Sequence, residues 1–326
     1  MSTIDTTIDE AYKGVRAVVL GGSGFIGAWT ARALHVRGAA VTLVGRDSRQ
    51  AAGVRDAIDP AIPIFIADLG DPLGPDRVID ASRPSVVFNL AGYGVDRSER
   101  DVELMETLNA RMVGRLCARL AGEPDSRWEG LRLVHVGSAL EYGRREGPLS
   151  ESMAVDPTTD YGRTKLEGTR LVESSGAATG LRAVVARLFT VYGSGEHPDR
   201  LLPSLMRTAQ TGRPLELTSG RQRRNFTYVG DVAEGLLRLG ISGVTPGTVV
   251  NLATDRMSSV RTFAETAADV MGIDRRLLVF DALPDRDDEM WHGEVDVNRL
   301  RTLTSWVPST TIADGIRQTW ELAVAS

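Results

Sequence analysis

Val15-Arg-Ala-Val-Val-Leu20 runs without a break into Gly21-Gly-Ser-Gly-Phe-Ile-Gly27, and the residues from Ala28 to Arg37 have helical composition. A short β-branched run of this kind is typical of a buried parallel strand. Two glycine spacings overlap in the turn: Gly22, Gly24 and Gly27 spell GxGxxG, while Gly21, Gly24 and Gly27 spell GxxGxxG. Both meet one physical need. Glycine allows a tight turn, lets the backbone approach a pyrophosphate, and lets the helix pack close to the strand. The unpaired N–H groups that open the helix then face the phosphates. Strand, glycine turn and helix in this order predict a dinucleotide-binding α/β fold.

Working outward, Ala39 to Val44 reads as a second strand, ending in Gly45-Arg46-Asp47. An acid that grips an NAD ribose belongs at this strand end, about 20 residues past the glycines. Gly45 and Arg46 stand there instead, and an arginine fork suits the 2′-phosphate of NADP. Asp47, two residues on, keeps NAD as the alternative. Ile62 to Ile66 is a third strand, followed by Asp68-Leu69 at a strand end within reach of an adenine. Ser85 to Leu90 is a fourth, entering the small-residue turn Ala91-Gly92-Tyr93. Helical segments between the strands give βαβ units and a parallel sheet. A long amphipathic helix spans about 98–121 and contains Asn109. Leu131 to Val136 is a fifth strand, ending in Gly137-Ser138.

Tyr161-Gly-Arg-Thr-Lys165 places a phenol and an ammonium four residues apart. On a helix, i and i+4 share a face, so the two project together. A phenol with a pKa of about 10 is a poor acid–base group at neutral pH, and a neighbouring cation favours its phenolate. Alone, the pair describes many solvated helix faces; downstream of a glycine turn it reads as catalytic.

Composition bounds the alternatives. At 326 residues, 42% hydrophobic and 25% charged, the chain has ample material for a core. A net charge of −5 argues against coating nucleic acid. The single cysteine, Cys117, excludes an internal disulfide framework. The four histidines, His35, His135, His197 and His292, show no metal-ligand spacing. No long apolar run or signal-like segment is present, so a cytoplasmic protein with no membrane association is expected.

The chain resembles the extended short-chain dehydrogenase/reductase family, in particular its sugar-nucleotide epimerases, dehydratases and 4-ketoreductases. The motifs run in the family order: the glycine turn, Asp68-Leu69, Asn89-Leu-Ala-Gly92, Gly137-Ser-Ala-Leu-Glu-Tyr-Gly143, Tyr161 to Lys165, Arg187-Leu-Phe-Thr-Val-Tyr-Gly193, and Arg224 to Ala233. The resemblance implies a Rossmann-type doubly wound parallel sheet over residues 13–197. A smaller substrate lobe over 198–326 would send some segments back to it. It implies a cofactor site at Gly21, Ser23, Gly24, Phe25, Ile26, Gly27, Arg46, Asp68, Leu69, Leu90, Ala91, Gly92 and Asn109. Ser138 would hold the substrate oxygen and Tyr161 would move the proton. Lys165 would hold the cofactor ribose while lowering the Tyr161 pKa. Tyr93, Thr190, Arg224 and Arg286 would contact a nucleotide sugar, the two arginines gripping its diphosphate.

Departures narrow the reaction. The 4,6-dehydratases of this family carry acids at the two positions after the hydroxyl, where Ala139 and Leu140 stand here. Dehydration therefore lacks its second acid–base pair. Glu141, one residue further on, is expected at the surface by strand alternation. The function expected is NADPH-dependent reduction of a nucleotide-linked 4-keto-6-deoxy sugar, with an NAD-dependent 4-epimerase as the alternative. A catalytically idle nucleotide sensor is a third reading, disfavoured by the intact Ser138, Tyr161 and Lys165. A homodimer paired through the helices around 98–121 and 161–174 is expected. At the C-terminus, Ile316, Trp320 and Val324 form an apolar stripe expected to pack.

Overall fold

Every residue of β1 (Arg16–Leu20) after Arg16 is buried, which is the burial pattern of a central parallel strand covered on both faces. Burying each of Val18, Val19 and Leu20 stabilises the fold by about 1.5–3 kcal/mol relative to leaving it exposed. The structure, a computed structural model, describes residues 8–96, 98–122, 128–145, 147–285 and 292–325.

The chain continues through α1 (Phe25–Val36), β2 (Ala40–Gly45), α2 (Ser48–Ile58), β3 (Ile64–Ile66), α3 (Gly74–Ser82) and β4 (Val86–Asn89). Next come α4 (Val102–Glu106), a π-helical turn (Thr107–Arg111), α5 (Met112–Ala121), β5 (Leu133–Ser138), α6 (Asp160–Thr179) and β6 (Ala183–Leu188). The second half contains β7 (Thr190–Tyr192), α7 (Leu201–Thr211), β8 (Leu215–Glu216), β9 (Arg223–Arg224), β10 (Phe226–Tyr228) and α8 (Val229–Gly240). It ends with β11 (Thr248–Leu252), β12 (Ser258–Ser259), α9 (Val260–Met271), β13 (Leu278–Val279), α10 (Asn298–Thr304) and α11 (Ile312–Val324).

Seven strands form one sheet in the order β11-β6-β5-β4-β1-β2-β3, and every pairing in it is parallel. The order reverses between β1 and β4, the point where such sheets bind ligands at their strand ends. β11 comes from the second half of the chain yet pairs with β6 along its whole length. The large hydrophobic cluster likewise mixes residues of both halves, from Val19 and Leu43 to Leu236 and Phe263. In the second half, an aromatic group forms around Phe263, stacked on Phe226 at 4.3 Å and edge-on to Tyr192 at 5.1 Å.

Several elements differ from the sequence reading. β3 is confined to three residues and begins after Pro63, which has no N–H to give the ladder. The long helix starts only at Val102, where Asp101 caps it by accepting the Leu104 N–H at 3.0 Å. It then carries the π-helical turn around Asn109. β6, a fully buried strand, was not anticipated as one. The stripe on α11 packs only in part: Ile316 is buried, but Val324 is 65% exposed, and the buried face is Gly315, Ile316 and Thr319.

Candidate active site

The glycine turn is shaped by contact with the neighbouring strand end. Gly21 sits at φ +72°, and a Cβ there would stand 2.9 Å from the Ala91 nitrogen. A Cβ at Gly27 would fall 2.1 Å from the Gly21 carbonyl oxygen, so helix and turn touch backbone to backbone. α1 starts after Gly24 with no side-chain cap and no acid in its first turn. Its opening N–H groups are therefore left for an anion, which is the fit a dinucleotide pyrophosphate requires. Ser23, Phe25 and Ile26 all lie half-buried along this turn.

The end of β2 carries Gly45, where an acid is usual for an NAD ribose. A Cβ at Gly45 would stand 2.8 Å from Ser23 Oγ, so the position admits no side chain without movement. Asp47 caps α2 instead, its Oδ1 accepting the Arg49 and Gln50 N–H groups, each at 2.8 Å. Arg46 is exposed. Asp68 is exposed and accepts the Gly70 N–H at 2.9 Å, while Leu69 is buried in the core.

The turn after β4 lies directly over the lysine. A Cβ on Gly92 would come within 4.0 Å of Lys165 Nζ. Leu90 and Ala91 extend the strand end, the Leu90 N–H donating to the Leu20 carbonyl at 3.0 Å. Asn109 locks the turn from the π-helical segment. Its Oδ1 accepts the Tyr93 N–H at 3.0 Å, and its Nδ2 donates to the Tyr93 carbonyl at 2.8 Å and to Thr164 Oγ1 at 3.0 Å. Asn109 is fully buried, and these bonds make it a brace between the turn and α6.

α6 begins at Asp160, with Thr159 capping it by accepting the Gly162 N–H at 3.0 Å. Tyr161 therefore sits in its first turn and Lys165 one turn later. Lys165 is 3% exposed, and its Nζ donates to the Val136 carbonyl at 2.6 Å. Ser138 ends β5; its hydroxyl accepts the Leu140 N–H at 3.2 Å and lies close enough to the Tyr161 phenol to favour its charged form. The structure thus brings Ser138, Tyr161, Lys165 and Gly92 together at the strand ends.

The electrostatics differ from the simple picture of a lysine lowering a tyrosine. Burial pushes the Tyr161 phenol above its ordinary value, and the Glu141 carboxylate pushes it further; the nearby Ser138 hydroxyl opposes both. Lys165 is itself pulled down to about 8 by burial, against the opposing pull of Glu141. A buried ammonium resists its own charge, so it is a weaker electrostatic lever than a solvated lysine at the same spacing.

Glu141 corrects the sequence expectation outright: it is fully buried, not at the surface. Strand alternation does not apply, because β5 ends at Ser138 and a 3-10 turn follows over Ala139–Tyr142. Ser138 and Glu141 form a capping box, and the Ser-x-x-Glu spacing is the signal that identifies it. Arg187, quoted as part of a motif but given no role, pairs with Glu141 at 2.7 Å. Glu196 lies outside the sequence motifs; burial raises its carboxyl to about 7 against the opposing pull of Arg200.

Of the expected substrate residues, Thr190 and Arg224 lie close to one another. Thr190 opens β7, half-buried, its N–H donating to the Asn225 carbonyl at 3.2 Å. Arg224 lies on β9 and donates to the Arg223 carbonyl at 2.8 Å. It is close enough to His292 to help depress that imidazole's proton affinity, after burial. His292 lies 5.9 Å from the Phe189 ring, next to Thr190 in sequence. Arg286 lies outside the described residues. Among the described residues, no His, Cys, Asp and Glu cluster could hold a metal, and no helix is long and apolar enough to cross a membrane. Cys117 is buried and unpaired with another cysteine.

A doubly wound parallel sheet, a glycine turn at its first crossover, and Ser138, Tyr161 and Lys165 at the ends of β5 and α6 define an extended short-chain dehydrogenase/reductase. The chain belongs to the NAD dependent epimerase/dehydratase family, whose model matches residues 17–253. It is accordingly an NAD(P)-dependent enzyme. It is similar to the dTDP-6-deoxy-L-talose 4-dehydrogenase (NAD(P)(+)) of Kitasatospora kifunensis, 29% identical over 318 residues and 94% of each chain. It is also similar to the UDP-glucose 4-epimerase of Azospirillum brasilense, 28% identical over 94% of this chain and 91% of that one. Its fold matches that of the Bacillus cereus UDP-glucuronic acid 4-epimerase solved with UDP-glucuronic acid and NAD. That match has a TM-score of 0.82 and 21% identity, over 95% of this chain and 99% of that one.

Proposed function

We propose that the chain is a nucleotide-sugar 4-epimerase working with a retained NAD. The observation that carries this reading is the gathering of Ser138 and Tyr161 beside Lys165 and Gly92 at the strand ends. Bound NAD supplies the hydride acceptor for the sugar carbon and afterwards the hydride donor. The protein's residues do the rest. Tyr161 takes the proton of the sugar 4-hydroxyl as its carbon is oxidised, and returns it after the ketone presents its other face. Ser138 hydrogen-bonds the same oxygen, stabilising the charge that develops on it. Lys165 and Asn109 hold the ribose side of the site, and Arg224 with Arg286 grips the diphosphate, with Tyr93 and Thr190 near the sugar. Ala139 and Leu140 offer no acid–base pair, which argues against dehydration. The similarity to the A. brasilense UDP-glucose 4-epimerase supports the same choice. A cytoplasmic homodimer fits this reading.

A second reading, NADPH-dependent reduction of a 4-keto-6-deoxy nucleotide sugar, draws on the end of β2. Asp47 is occupied as a helix cap, Gly45 has no side chain, and Arg46 is exposed at that strand end. The dehydrogenase from K. kifunensis is similar over nearly the whole chain and is named for either cofactor. Proton NMR of UDP-glucose incubated with the purified protein decides between them. Appearance of the C4 epimer with no added cofactor supports the epimerase. No change there, with one NADPH consumed per 4-keto-6-deoxy nucleotide sugar reduced, supports the reductase.

A further inference from the structure

Glu141 has no exposed surface, yet it carries a carboxyl group beside the catalytic pair. Its Oε1 accepts the Ser138 N–H at 2.7 Å. Its Oε2 accepts the Thr169 hydroxyl at 3.0 Å and Arg187 Nε at 2.7 Å. These partners come from three elements: the end of β5, two turns past Tyr161 on α6, and the end of β6. One carboxylate therefore ties the strand end bearing the Ser138 hydroxyl to the helix bearing Tyr161 and Lys165. Gly137 makes the approach possible, since a Cβ there would stand 2.6 Å from Glu141 Oε1.

Stability alone does not account for this arrangement. A buried ion pair loses most of its Coulombic gain to desolvation, and apolar side chains of similar size pack as well. The charge, moreover, falls on the reacting groups. Glu141 acts on Tyr161 and on Lys165, disfavouring the phenolate and favouring the ammonium. The other ionisable groups around it are Arg187 from β6, Glu173 from α6 and Tyr142 from its own turn. The Arg187 guanidinium lies 4.6 Å from the Tyr142 ring centre.

We propose that Glu141 is a positioning residue for proton transfer: its carboxylate fixes the backbone at Ser138 relative to the helix that bears Tyr161 and sets a negative charge beside the pair. This rests on the reading of Tyr161 as the acid–base group. Sugar oxidation needs the Tyr161 phenolate, so its rate falls on the acid side of the Tyr161 titration. Removing the Glu141 charge, and leaving Arg187 uncompensated, favours the phenolate on both counts. The acid limb must then move to lower pH.

The experiment compares kcat against pH, with UDP-glucose as substrate, for wild type, Glu141→Gln, Glu141→Asp, Thr169→Val and Tyr161→Phe. Glu141→Gln is expected to move the acid limb down by about one pH unit or more. Glu141→Asp keeps the charge but shortens the reach, so it should lower the plateau and leave the limb in place. Thr169→Val removes one of the three bonds with both charges intact and should do the same. The ultraviolet titration of the Tyr161 phenolate, wild type minus Tyr161→Phe with NAD bound, gives the same shift without any sugar substrate. An acid limb and phenolate titration unmoved in Glu141→Gln would overturn the inference, as would a wild-type plateau in both Glu141→Asp and Thr169→Val. If Glu141→Gln does not fold, those two variants decide the matter. Full activity in Tyr161→Phe would instead bring down the reading of Tyr161 itself.

Discussion

The Lys165 ammonium donates to the Val136 carbonyl at 2.6 Å, two residues before Ser138. This bond sets the lysine between the catalytic helix and the strand that carries the second hydroxyl, at the price of burying a charge. Burial brings its pKa down to about 8. Below pH 8 both folded and unfolded chains hold the proton, and the full cost of burying it is present. Between about 8 and the ordinary lysine value, the unfolded chain binds more protons, so stability rises with pH over that window.

Lys165→Met should therefore fold more stably than wild type while losing activity. An apolar isostere in place of a buried charge is neutral to stabilising, here by about 1–3 kcal/mol at neutral pH. Urea denaturation as a function of pH reads this directly. The advantage should be largest below pH 8 and shrink toward pH 10.5, the lysine model value. A variant less stable at pH 7 than at pH 10, relative to wild type, contradicts the assignment of a desolvated ammonium.

Arg46 and Asp47 are the residues proposed to set cofactor choice. A charge-assisted bond to phosphate contributes about 1.5–3 kcal/mol, so Arg46→Ala should weaken NADPH by roughly ten- to 150-fold and leave NADH nearly unchanged. Asp47→Asn preserves the helix cap, since asparagine caps as well as aspartate. It should leave both affinities alone. Fluorescence titration of the four protein–cofactor pairs checks both statements; loss of NADH binding in Asp47→Asn would show that Asp47 holds the ribose.

The diphosphate grip predicts a split between two ligands. Arg224→Ala should raise the Michaelis constant for a nucleotide sugar by about tenfold or more, through loss of a charged hydrogen bond, without changing cofactor affinity. Calorimetry with UDP provides the check. Equal UDP affinity in variant and wild type would place the diphosphate elsewhere.

Asn109 predicts a loss at a distance. Asn109→Ala removes three hydrogen bonds that pin the Tyr93 turn to Thr164 on the catalytic helix. With buried partners left unpaired, it should cost about 2–4 kcal/mol of stability. Cofactor affinity should fall with it, because Gly92 and Lys165 lose their fixed spacing. A thermal melt and a cofactor titration read the two losses; a variant that melts like wild type would show that the turn holds itself.

The fold of the first half was legible because its signals are local. The glycine spacing between strand and helix specifies a backbone path, and Tyr161 with Lys165 needs only helical periodicity. Glu141 escaped because the reading extended a period of two past Ser138, where the strand had already given way to a 3-10 turn. β6 escaped because Arg187 interrupts its apolar run, and only the fold shows that a buried carboxylate answers that charge. α11 packs through Gly315, Ile316 and Thr319, a face one residue off the expected stripe that leaves Val324 exposed. Contacts between segments far apart in sequence, such as Asn109 with Tyr93 and Thr164, carry no local signature at all.

The most direct test of the account is the half-reaction itself. With wild-type protein loaded with NAD, mixing with UDP-glucose should generate reduced nicotinamide, visible by its absorbance in a stopped-flow trace. Tyr161→Phe removes only the hydroxyl, so NAD binding should persist while the rate of that reduction falls by about 10²–10⁴. Reduction in Tyr161→Phe at the wild-type rate would show that Tyr161 does not take the proton.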